Sequence, residues 1–189
     1  LVCNSGTAAL HLIYKAIGVE KNDIIITTPI TFIATANAAK MCGAKILFAD
    51  VDEKTGLISP ESIEKLILKN RKKIKAITVV HLGGRICNMK KISQIAKKYK
   101  CFLIEDACHA IGAIYQNTKK YVGSCIYSDA STFSFHAIKN ITTAEGGCVT
   151  TNSNKLYEKM RLYRSHGIEK NLKKIKNLPE KNASWYYEA

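Results

Sequence analysis

KCFLIEDACHA, Lys100–Ala110, changes character at one point. An apolar run from Cys101 to Ile104 meets Glu105 and Asp106, and small residues follow. A short apolar run bounded by polar residues reads as a buried strand, and this one ends in carboxylates. Upstream, Met89, Ile92, Ile95, Ala96 and Tyr99 recur at helical spacing. Before that helix, KAITVV (Lys75–Val80) is another apolar strand.

The alternation continues towards both ends. On the N-terminal side, LVC reads as the end of a strand, and TAALHLIYKAIG puts Leu10, Ile13, Tyr14 and Ile17 on one helical face. DIIITT and AKILFAD read as strands around a small-residue helix, FIATANAAKMCG, closed by Gly43. Ser59 and Pro60 start a helix with Ile63, Leu66 and Ile67 inward. On the C-terminal side, STFSF and GCVTT are strands around a loop, and a helix spans about 153–165. Strands alternating with helices predict an α/β fold: a mostly parallel sheet with helices on both faces. In such sheets the working groups collect at the carboxyl ends of the strands. Residues 1–168 read as one domain and 169–189 as a basic, polar loop leading away from it. Leu1 in place of Met, and the abrupt end at SWYYEA, read as an internal piece of a longer protein.

The 189 residues are 47% apolar, enough for one sizeable core. No apolar run approaches a membrane span, and no signal-peptide pattern opens the chain. Seven cysteines, an odd number with no CxxC pair, read as cytosolic thiols rather than disulfides or a zinc site. A cytoplasmic protein without a metal or a membrane is expected. The net charge is +14, yet only four of the 29 basic residues are arginine. The lysines are spread over helices and loops, so a solvated basic surface is the first reading. Attraction to an anionic substrate such as a nucleotide sugar is the second. Nucleic-acid binding ranks behind both, because no aromatic-basic interleaving occurs.

Against that background FSFHAIKNITTAEGG, Phe133–Gly147, stands out. The chain has 25 lysines, but Lys139 is the only one between Lys120 and Lys155. A lysine among uncharged neighbours can be kept neutral and form a Schiff base. Asp106 sits at a strand end, where alone it would read as a cap or turn former. Ser134 offers a hydroxyl to a phosphate. Gly6, Thr7 and Ala8 open a helix, where free N–H groups and the helix dipole suit a phosphate too. An aldehyde for Lys139, a phosphate for Thr7, Ala8 and Ser134, and a ring nitrogen for Asp106 together describe pyridoxal 5'-phosphate.

NSGTAALHL, TTPITFIATANA, VVHLGGRICNM, IEDACHAIGA, FSFHAIKNITTAEGG and RSHGI, spread over residues 4–168, resemble the DegT/StrS-type nucleotide-sugar aminotransferases. The resemblance implies a fold type I aminotransferase large domain, without the family's C-terminal small domain. It makes Lys139 and Asp106 catalytic, the first bonding the cofactor and the second meeting its ring nitrogen. It places His109 near the ring oxygen, Phe32 on the ring face, and Thr7, Ala8 and Ser134 at the phosphate. VGSCIYSDASTFSFHAIKNITTAEGG and RLYRSHGI look most like a branch that aminates C4 of a UDP-linked 4-keto-6-deoxy sugar for pseudaminic acid. The resemblance also implies glutamate as amino donor and a homodimer with shared sites. Bacillosamine-, perosamine- or aminoarabinose-type sugars stay open, as does a cofactor-binding sensory protein without turnover. His136 could line the sugar pocket or be structural. Glu145 reads as a turn residue, and His81 and Arg85 could face a substrate.

Overall fold

The computed structural model describes residues 1–70, 74–169, 171, 175 and 187. The loop expected at 169–189 falls almost wholly outside them. The elements are β1 (Val2–Cys3), α1 (Gly6–Ala16), β2 (Ile24–Thr27), α2 (Ala34–Met41), β3 (Lys45–Phe48), α3 (Pro60–Lys69), β4 (Ile74–Val80), a 3₁₀ turn (Leu82–Gly84), α4 (Met89–Tyr99), β5 (Phe102–Asp106), β6 (Ala130–Ser134), β7 (Gly147–Thr150) and α5 (Asn154–Arg164). Among the described residues, one seven-stranded sheet forms in the order β1-β7-β6-β5-β4-β2-β3.

β3, β2, β4, β5 and β6 run parallel, as the alternation predicts. β7 runs against both β6 and β1. Residues 135–146 contain no helix to make the crossover that a parallel neighbour needs, so the chain turns back. That reversal leaves the loop holding Lys139 at the same sheet edge as the end of β5.

Helices cover both faces. Ile25, Ala76, Ile104 and Val149 pack under α1, α2 and α5, beside Leu10, Tyr14, Ala38 and Met160. The intervening Ile24, Ile26, Ile77 and Leu103 pack under α3 and α4, beside Ile63 and Ile92. Burial on both faces is why these strands read as apolar runs rather than alternating ones.

Helix ends follow local chemistry. Ser5 Oγ accepts from Ala8 N at 3.1 Å and caps α1. α2 starts two residues later than the expected Phe32, at Ala34, and no side chain caps it. Its end is as expected: Gly43 has φ +88°, Gly43 N donates to the Lys40 carbonyl, and Ala44 N donates to that of Ala39.

Candidate active site

A cavity of about 480 Å³ opens at the carboxyl edge of the sheet. Thr7, Phe32, Asp106, His109, Ser134 and Lys139 all line it, and so do Cys108, His136 and Glu145. Residues from α1, the loop before α2, the end of β5 and the β6–β7 loop are thereby brought together.

Asp106 is the last residue of β5 and is only 6% exposed. Its Oδ2 accepts from Thr35 Oγ1 at 2.6 Å, and its Oδ1 accepts from Cys108 N at 3.2 Å. Lys139 is half-buried, and its N–H donates to the His136 carbonyl at 2.9 Å. Among the described residues its Nζ has no hydrogen-bond or ion-pair partner. The enclosure expected for Lys139 is therefore partial, because neighbouring Ile138 is itself 81% exposed.

The Lys139 charge is felt by two neighbours. Burial pushes the His109 pKa below its ordinary value, and the Lys139 charge adds to that while Asp106 opposes it. His109 Nδ1 accepts from Gly83 N at 3.3 Å. In the neutral ring the proton then sits on Nε2, which is left free to donate. Burial pushes the Cys108 thiol far up, and the Asp106 carboxylate pushes it further. Cys108 stays a thiol at neutral pH, so it is no rival nucleophile to Lys139.

The end of the cavity at the α1 N-terminus depends on two glycines. A Cβ on Gly6 would come within 3.0 Å of Ser134 Cβ and 3.2 Å of Cys108 Sγ. A Cβ on Gly147 would overlap the Ser5 carbonyl and stand 2.7 Å from Gly6 N. Their bare backbones let the α1 N-terminus rest on β7 beside the Ser134 hydroxyl. Among the described residues the N–H groups of Gly6 and Thr7, in the first turn, have no partner. Ala8 departs from the expectation: it is absent from the cavity wall, and its N–H already serves Ser5.

Phe32 is 72% exposed on the rim, so it is not core packing. His136 and Glu145 face each other across 3.6 Å on the wall, more than a turn residue requires. His81 does not face the cavity. It is wholly buried, and its Nε2 lies 2.8 Å from Glu105. Arg85 is exposed and is not on the cavity wall.

Sequence reasoning missed Thr35, the network around Glu105 and the packing role of Gly6 and Gly147. The signal available for Thr35 was a polar residue on the inward side of a small-residue helix. A larger hollow of about 650 Å³ lies by the starts of α3 and α4, but it includes neither Asp106 nor Lys139, and Ser59 and Asn88 already cap those helices.

The groups present fit a flat, phosphorylated aldehyde: an unpartnered amine, a buried carboxylate, a ring-nitrogen donor and an open helix N-terminus. A mostly parallel sheet with such a cavity at its carboxyl edge is an architecture that aminotransferase folds share. The comparisons agree: residues 1–183 match the DegT/DnrJ/EryC1/StrS aminotransferase family. The chain belongs to that family. It is 50% identical over 169 residues to the UDP-4-amino-4,6-dideoxy-N-acetyl-beta-L-altrosamine transaminase of Campylobacter jejuni subsp. jejuni serotype O:23/36 (strain 81-176), covering 89% of this chain and 43% of that protein. Helicobacter pylori PseC, an aminotransferase involved in the biosynthesis of pseudoaminic acid, superposes with a TM-score of 0.84 at 39% identity, covering 100% of this chain and 46% of that one. NtdA from Bacillus subtilis, with bound cofactor PMP, superposes with a TM-score of 0.81 at 32% identity, covering 95% of this chain and 39% of that one. The chain spans less than half the length of these relatives.

Proposed function

We propose that this chain is the cofactor-binding large domain, residues 1–168, of a pyridoxal-phosphate aminotransferase. Its substrate is a UDP-linked 4-keto-6-deoxy sugar aminated at C4, its donor is glutamate, and its product serves pseudaminic acid synthesis for surface glycans. One observation carries the reading: a lysine amine without a partner among the described residues and a buried carboxylate share a cavity with an open helix N-terminus. The sugar in the Campylobacter relative's name and the PMP bound by NtdA support the choice of substrate and cofactor.

When bound, the cofactor supplies an aldehyde carbon and a ring that accepts an electron pair. Lys139 Nζ would hold the aldehyde and, as a free amine, would take up and return a proton at Nζ. Asp106 would accept a hydrogen bond from the ring nitrogen. His109 Nε2 would donate to the ring oxygen. The Gly6 and Thr7 N–H groups and Ser134 Oγ would hold the phosphate. Phe32 would shield the ring from water.

Phe32, Ile33 (62% exposed) and Ile138 lie at or beside the rim. Their apolar exposure supports a homodimer in which a second copy covers them. All seven cysteines are free, which supports a reducing cytoplasm. Among the described residues no helix is long and apolar enough to cross a membrane.

The test is to incubate the intact protein with pyridoxal phosphate, glutamate and a panel of UDP- and GDP-linked 4-keto sugars. The expected product is an amino sugar from the UDP-linked substrate, with one 2-oxoglutarate formed for each. Amination of a GDP-linked sugar alone would replace the substrate assignment. No 2-oxoglutarate with any sugar would leave a cofactor-binding protein without turnover.

A further inference from the structure

Thr35 has no part in the chemistry above, yet its hydroxyl makes the shortest hydrogen bond to Asp106. The 2.6 Å separation from Oδ2 is that of a charge-assisted O–H···O⁻ bond. Thr35 is wholly buried. It has a weaker alternative acceptor in the Phe32 carbonyl, at 3.3 Å. Thr31 Oγ1 lies 2.9 Å from Thr35 Oγ1. A hydroxyl has one proton to give. With the Thr35 proton committed to Asp106, Thr31 is the donor in that pair, and its 2.9 Å contact with Thr35 is shorter than its alternative to the Phe32 carbonyl at 3.2 Å. The two hydroxyls form a chain from the cavity wall, where Thr31 sits, to the carboxylate.

The backbone that carries Thr35 is pinned as well. Tyr14, wholly buried, donates its hydroxyl to the Thr35 carbonyl at 3.2 Å. Thr78 Oγ1 lies 2.9 Å from the same Tyr14 oxygen, and Thr27 Oγ1 donates to the Thr78 carbonyl at 2.9 Å. α1, α2, β2 and β4 thus hold one threonine hydroxyl in place. The other carboxylate oxygen, Oδ1, accepts from Cys108 N at 3.2 Å and has capacity for another donor.

We propose that Thr35 is a positioning residue: its hydroxyl, backed by Thr31, fixes the rotation of the Asp106 carboxylate so that Oδ1 is the oxygen offered to the cofactor's ring N–H. The inference rests on the cofactor assignment made above. Thr35→Val keeps the side chain's size and removes the donor, and Thr35→Ser keeps the donor. Intact apoprotein is titrated with pyridoxal phosphate, and both the Kd and the visible band of the bound cofactor are read. Thr35→Val weakens binding about tenfold or more, the loss of one hydrogen bond to a charged group, and moves the band. Thr35→Ser restores both. A Thr35→Val protein with the parent's Kd and band overturns the inference, and so does equal damage in Val and Ser, which points to packing. If Thr35→Val does not fold, Thr31→Val decides. A weaker Kd with a shifted band supports the chain, and an unchanged pair of readings refutes it. A parent protein that binds no pyridoxal phosphate is a separate result, and it removes the cofactor assignment itself.

Discussion

His81 Nε2 lies 2.8 Å from Glu105 Oε2, and neither side chain is exposed to solvent. Cys87 N donates to His81 Nδ1 at 3.3 Å, so the neutral ring carries its proton on Nε2 and gives it to Glu105. Tyr115 at 2.8 Å and Ser131 at 2.9 Å donate to the same carboxylate, and Ser128 joins them. The end of β4, the loop after β5 and the start of β6 are tied to one residue. The tie reaches the cavity, because the 3₁₀ turn that follows His81 holds His109 through Gly83.

Removing that carboxylate strands several buried donors. Glu105→Ala is expected to destabilise the protein by about 3 kcal/mol or more, measured by urea unfolding. A loss within experimental error would mean that the network is dispensable. Burial pushes the Glu105 pKa up, but the bonds from His81, Ser128 and Tyr115 outweigh it and hold the value below the ordinary 4.5. A depressed carboxylate contributes stability that is fully present above 4.5 and is lost as the pH falls through the folded value. Stability plotted against pH should therefore fall less steeply below 4.5 in Glu105→Gln than in the parent.

His109 should titrate below the ordinary 6.5, since burial and the Lys139 charge both favour its neutral form. Its unfolded form takes up a proton first, so this group costs stability as the pH falls below 6.5. The midpoint is measurable by proton NMR of the imidazole. Lys139→Ala should move it upward. A midpoint at or above 6.5, or one blind to that substitution, contradicts the geometry.

Gly147→Ala tests the packing under the anion end. The new methyl meets the Ser5 carbonyl and Gly6 N, so α1 must shift. The expected cost is about 1–3 kcal/mol of stability, together with weaker binding of pyridoxal phosphate. Parent-like urea midpoint and Kd would show that α1 has room to spare.

Much of this was legible in the sequence, for physical reasons. The run Cys101–Ile104 names a buried strand because both of its faces are covered. Lys139 stood out as a lone lysine among uncharged residues, and Asp106 drew its meaning from being combined with it; the cavity brings the two together. The direction of β7 was not legible, since it depends on a helix being missing from 135–146. His81 was read as able to face a substrate because it flanks a glycine turn. Its buried partner lies 24 residues away, a distance that local pattern does not span. Thr35 was hidden for a similar reason: a threonine among alanines looks like packing until the carboxylate from β5 arrives beside it. Ala8 was read as a phosphate donor from its place at a helix start. Which of those first N–H groups stays free depends on the direction of the Ser5 side chain.

One amine among 25 lysines is expected to bond the cofactor. The intact protein, loaded with pyridoxal phosphate, is reduced with borohydride, digested and analysed by peptide mass spectrometry. A phosphopyridoxyl group is expected on Lys139, with no stoichiometric label on any other lysine. A label spread over surface lysines, or one fixed on a lysine outside this cavity, would contradict it.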